Sequence, residues 1–120
     1  MGHKVISNNP MHIHPRLEMD VRGKRIPIPA EVGIKAKLYK DHEFDAFIGD
    51  MGAAPIHTHD ASGTLHVESS VTMDYTLGDF FKIWGKAMPA GATVTVDGHT
   101  VKRPASHVLH DGEQIRISVP

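Results

Sequence analysis

Hydrophobic and polar positions alternate in several stretches of the chain, and a period of two predicts strands. In Met11 to Val21, His12, His14, Arg16, Glu18 and Asp20 share one face, while Ile13, Leu17, Met19 and Val21 share the other. Pro15 removes a backbone donor inside this run, so an edge or bulged position is predicted there. Arg22-Gly23-Lys24 turns the chain, and Arg25 to Pro29 returns it. A second alternation runs through Ile56-His57-Thr58-His59 and Thr64-Leu65-His66-Val67-Glu68. Between them Asp60-Ala61-Ser62-Gly63 reads as a four-residue turn, since Asp bonds nearby backbone and Gly accepts positive φ. That turn sets His57 opposite His66, Thr58 opposite Leu65 and His59 opposite Thr64.

Thr76 to Gly85 carries a different period. Leu77, Phe80, Phe81 and Trp84 recur at helical spacing after a Thr76 N-cap, with Asp79 at the third position and Gly85 as the stop. Tyr75 and Phe80 are placed to staple the first turn. Ala92 to Lys102 is a hairpin about Asp97-Gly98, with His99 exposed beside the turn. Ile115, Ile117 and Val119 form a closing strand after the turn His110 to Glu113, which His107 and His110 flank. Met1 to Pro10 is polar and read as flexible. Ala30 to Ala54 has no sustained period and reads as a long surface connection, with Phe44, Phe47 and Ile48 anchoring a short helical turn, Gly49, Gly52 and Pro55 breaking the chain, and His42 solvated. Together these elements predict one α+β domain over residues 1–120. It is a mainly antiparallel sheet, sandwich or β-grasp-like, with one short helix packed on it.

Composition narrows the chemistry. A net charge of −1 with no long basic run argues against nucleic acid or an anionic membrane as the main partner. No apolar segment approaches a membrane span, and no charged-then-apolar leader opens the chain, so a signal peptide is absent or removed. Cysteine is absent, which excludes thiolate zinc, type 1 copper, iron–sulfur clusters and disulfides. The ten His are the outlier, and any transition-metal site must use imidazole and carboxylate.

The predicted hairpin then becomes a candidate metal site. His57, His59, Thr64, His66 and Glu68 share a face, and directly opposed Cβ atoms lie about 4.5–5.5 Å apart. Three imidazoles so placed can converge on one ion at about 2.0–2.1 Å per nitrogen. A one-residue slip would send His66 to the other face. The same pattern on a solvent-facing hairpin is only a polar surface. His12 and His14 repeat the spacing and join the set if their strand lies beside the hairpin. Copper and zinc both suit neutral imidazole, and iron is also compatible. Should Met1 be removed, Gly2-His3-Lys4 offers a further set for divalent copper.

The motifs His12-Ile13-His14-Pro15-Arg16-Leu17, Gly23 to Pro27, Ile56 to Ser69 and Thr76 to Gly85 span most of the chain. On them the chain resembles a family of small His-rich domains, often secreted or membrane-anchored. The resemblance implies a metal-binding or export-side role, hence an extracytoplasmic setting, and supplies no settled activity. Relatives in that family often carry a further His where this chain has Arg16, which counts against three ligands from the first strand.

Three functions follow as expectations. The first is a copper- or zinc-binding protein using His57, His59 and His66 with His12 and His14. The second is an enzyme whose three-His ion activates water for hydration or hydrolysis, or activates oxygen, with Thr64 facing the bound hydroxide and Glu68 as base or as support for a ligand imidazole. The third is a metal-free interaction domain whose His face responds to pH.

Overall fold

The structure is a computed structural model and describes residues 5–48 and 52–120. In chain order the strands are β1 Val5–Ser7, β2 Met11–Ile13, β3 Arg16–Val21, β4 Lys24–Ile26, β5 Ile56–His57, β6 His66–Ser69 and β7 Thr72–Met73. Helix α1, Leu77–Trp84, follows, and then β8 Thr93–Val96, β9 His99–Thr100 and β10 Gln114–Val119. A five-stranded sheet has the order β4-β3-β10-β8-β9, a three-stranded sheet the order β2-β6-β5, and β1 pairs with β7. The fold is α+β, mainly antiparallel, with one α-helix among the described residues, packed on the strands. The exception is β10, which runs parallel to β3 from Gln114↔Arg16 to Val119↔Val21.

The predicted single strand from Met11 to Val21 is two strands in two sheets. β2 pairs with β6, and β3 pairs with β4 and β10. The break falls at Pro15, which has no N–H to offer a ladder, while its carbonyl accepts from Leu65 N at 2.8 Å. Part of the N-terminal stretch read as flexible is also paired, since Val5 and Ser7 align with Met73 and Thr72. The Gly2-His3-Lys4 set and the break at Gly49 lie outside the described residues.

Alternation decides what the core receives. Leu17 and Met19 from β3, Ile115 and Ile117 from β10, and Ile56 and Val67 from the three-stranded sheet are all buried. Each such side chain contributes about 1.5–3 kcal/mol on removal from water. The stretch before β5 is less superficial than its sequence suggests, for Val32, Phe44 and Ala54 are core residues and Asp45–Phe47 is a 3-10 turn.

Helix α1 begins where the sequence places it. Asp79 N donates to the Thr76 hydroxyl at 3.2 Å, and Thr76 N donates to the Asp79 carboxylate at 2.8 Å, a reciprocal capping box. It ends at Gly85, whose N–H bonds Phe81 O at 2.9 Å. Leu77, Phe80, Phe81 and Ile83 face the core. Trp84 sits at its rim with the Lys86 ammonium 5.0 Å from its ring centroid. The helix seals the core under the sheet whose other face carries the histidines.

Candidate metal centre

Strand order assembles the site. β6 is the central strand of its sheet, and an H-x-H pair enters from each side. On one side His57 pairs with His66 and Ile56 with Val67. On the other, His12 pairs with Glu68 and Ile13 with Val67, and His14 follows just past the last pair of the ladder. The rings follow the backbone. His57 stacks on His66 with centroids 5.5 Å apart and planes 6° from parallel. His59 meets His66 edge-on at 4.4 Å, and His14 meets it edge-on at 4.8 Å. His12 and His14 are 4.6 Å apart, and His57 and His59 are 4.8 Å apart. The opposite face holds Ile56, Leu65 and Val67, all fully buried. That burial fixes the register, because a slip of one residue would bury His66 and expose Val67.

The loop between β5 and β6 is wider than a four-residue turn. Ladder pairing stops at His57↔His66 and does not extend to Thr58–Leu65 or His59–Thr64. Thr58 instead turns to the segment before the hairpin: its N–H bonds Val32 O at 3.1 Å, and its hydroxyl donates to Pro29 O and accepts from Val32 N. Thr64 bridges to Arg16, and its hydroxyl is hydrogen-bonded with Ser62 Oγ at 3.0 Å. The expected place of Thr64 opposite His59 is therefore corrected. Asp60 organises the loop tip, accepting from Ser62 N at 3.0 Å. Its bonds from the Ser62 hydroxyl and amide hold its carboxyl below the usual range.

His57 is the buried member, at 1% exposure. Its Nδ1 lies 2.8 Å from Ala54 O, and a carbonyl only accepts, so Nδ1 carries the proton. Nε2 therefore presents a lone pair, and it has no hydrogen-bond partner among the described residues. The Glu68 carboxylate is 3.9 Å from it. Such an orphaned nitrogen costs stability unless something accepts its lone pair. A ring held through one nitrogen by a backbone carbonyl is the usual posture of a metal-ligating histidine.

Burial, opposed by the Ala54 bond, lowers the His57 pKa. Burial first, then the neighbouring His59, His14 and His57, push His66 down to about 4. Both rings are neutral at pH 7, the state a ligand needs.

The sign of the resulting linkage is fixed. A folded pKa below the unfolded 6.5 means that the unfolded chain binds protons more readily. The stabilising contribution is full above pH 6.5 and is lost as pH falls toward about 4. The full shift corresponds to about 3 kcal/mol, and solvent screening of a half-buried ring reduces it to about 1–2 kcal/mol. Urea unfolding of chelator-treated protein is expected to show this fall between pH 7 and 4.5, with a smaller fall in His66→Gln. An equal slope in the two proteins would show that His66 is not its source.

Two trios can each hold a metal ion: His57, His59 and His66, and His12, His14 and His66. Within each, the potential ligand atoms lie within 4.8 Å of one another. A third group, His107, His110 and Glu113, meets the same limit. There the buried Glu113 carboxylate already accepts from His107 Nε2 and from His110 N, each at 3.0 Å. It clasps the turn before β10. The spacing of His107, His110 and Glu113 at every third residue is the signal of that clasp in the sequence. His42 lies elsewhere, stacked on Tyr39 and bonded to Asp45 at 2.9 Å. Met11 faces away from the histidines, its sulfur accepting from Met73 N at 3.4 Å.

No protein-family model matches the chain, and neither a curated protein nor a solved structure is significantly similar to it. No helix among the described residues is long and apolar enough to cross a membrane.

Proposed function

We propose that the protein binds a divalent transition metal, copper or zinc, through His57, His59 and His66. The observation that carries this reading is the buried His57 Nε2, which has a fixed tautomer and no partner. Two further rings lie beside it, and without cysteine the donor set is wholly imidazole, which suits copper and zinc. The motifs from Ile56 to Ser69 and from Thr76 to Gly85 place the chain, in this proposal, with the family of small His-rich domains that it resembles.

A three-His ion with an open position would also activate water. Glu68 favours that second reading, since its carboxylate is near enough to orient a bound water or support a ring. The Thr64 hydroxyl, bonded to Ser62 Oγ, keeps a lone pair that could accept from a bound water in that reading.

Metal analysis of protein produced without a His tag tests the proposal. We expect copper or zinc in the wild type and loss of the His57-dependent ion when His57, His59 and His66 are changed to Ala. An unchanged metal content in that variant would overturn it. An ion at one hundred times its Kd should stabilise the fold by at most about 2.7 kcal/mol, less whatever the unfolded histidines retain.

A further inference from the structure

We propose that the protein has a second metal position, formed by His12, His14 and His66, and that His66 is common to both. The inference rests on the first position being a metal site, and it adds a second ion beside it. Sheet order is the starting point. His66 stands on the middle strand, with one H-x-H pair on β2 and the following residue, and the other on β5 and the residues after it. Each pair forms, with His66, a group whose ligand atoms meet the same 4.8 Å limit. A single-ion site needs only one pair.

The two positions differ in depth. His12, His14 and His59 are exposed, His66 is half-buried, and of the five only His57 is buried. A cleft of about 320 Å³ lies beside Pro10, Met11, His12 and Glu68, on the His12 side of the second position.

With both positions filled, His66 serves one ion through each ring nitrogen. Its N–H proton passes to solvent as the second ion binds, and the resulting imidazolate carries one negative charge. Glu68 supplies another, being paired with His12 across the ladder and 3.9 Å from His57 Nε2. These two charges offset part of the repulsion between two divalent ions.

Titration of the metal-free, untagged full chain with Cu(II), followed by equilibrium dialysis and electron paramagnetic resonance, tests this. The wild type is expected to bind one more ion than the His12→Ala/His14→Ala variant, whose changes are at exposed positions that leave the fold intact. Its resonance signal should rise with the first ion and fall with the second, as the spins couple through the shared ring. The double variant should keep an uncoupled signal. Equal stoichiometry in the two proteins would overturn the second position while leaving the first intact. Two ions with additive signals would overturn the shared ligand. A wild type that binds no copper or zinc would remove the first position, and this one with it.

Discussion

Changing His57 to Leu is expected to weaken metal binding by about 100-fold or more while changing the stability of the metal-free protein by less than about 1 kcal/mol. The two effects separate because the ring has two jobs on its two nitrogens. Removing a group that merely supports a ligand already costs about 10–100-fold in affinity, and His57 is proposed as a ligand itself. For the metal-free fold, Leu leaves the buried Ala54 O without its Nδ1 donor, at a cost of about 1–3 kcal/mol. It also removes a buried Nε2 with no partner, an unsatisfied group that costs about 1–3 kcal/mol. Leu is close enough in volume to leave little cavity, so the terms nearly cancel. Metal affinity by competition with a chromophoric chelator, paired with urea unfolding in excess chelator, reads both. Unchanged affinity would mean that His57 is not a ligand. A loss of 3 kcal/mol or more in the metal-free state would mean that the ring is a structural core residue and that its orphan nitrogen is incidental.

The same residue shows what could be read in advance and what could not. The pairing of His57 with His66 was legible because it is a local consequence of alternation, with Ile56 and Val67 needing the core. Helix α1 was legible for the same reason, since Thr76, Asp79 and Gly85 satisfy one another within a few residues. The loop was not. Its width is set by Thr58 reaching back to Pro29, Glu31 and Val32, partners that no pattern around Asp60 announces. Pro15 marks an interruption in the sequence, but its consequence depends on β10, which arrives from the far end of the chain to lie parallel to β3. That pairing pulls Arg16 to Val21 into a second sheet and leaves His12 and His14 beside β6. His14 is pinned there at long range, its N–H donating to the Asp111 carboxylate at 2.8 Å. The composition of the His face was thus written in periodicity, and its closure on two sides was written in tertiary contacts.

Gly63 links that closure to stability, and Gly63→Ala should lower both. At Gly63 φ is +88°, and an added Cβ would lie 2.2 Å from the Leu17 carbonyl oxygen. Backbone oxygen cannot step aside as a flexible side chain can, and Leu17 N also donates to Gly63 O at 2.7 Å. The contact joins the His59-bearing loop to β3, so relief must come from moving the loop away. The expected loss is about 3 kcal/mol, the sum of left-handed backbone strain and a broken inter-element contact. Gly98→Ala is the matched control. Its φ is +85° with nothing within 4 Å of the added atom, so strain alone remains, about 1–2 kcal/mol. Because His59 rides on the displaced loop, Gly63→Ala should also weaken metal binding, whereas Gly98→Ala on the distant β8–β9 turn should not. Equal losses of stability in the two variants would show that the Leu17 contact does not hold the loop. Full metal affinity in a destabilised but folded Gly63→Ala protein would show that His59 is not positioned by it.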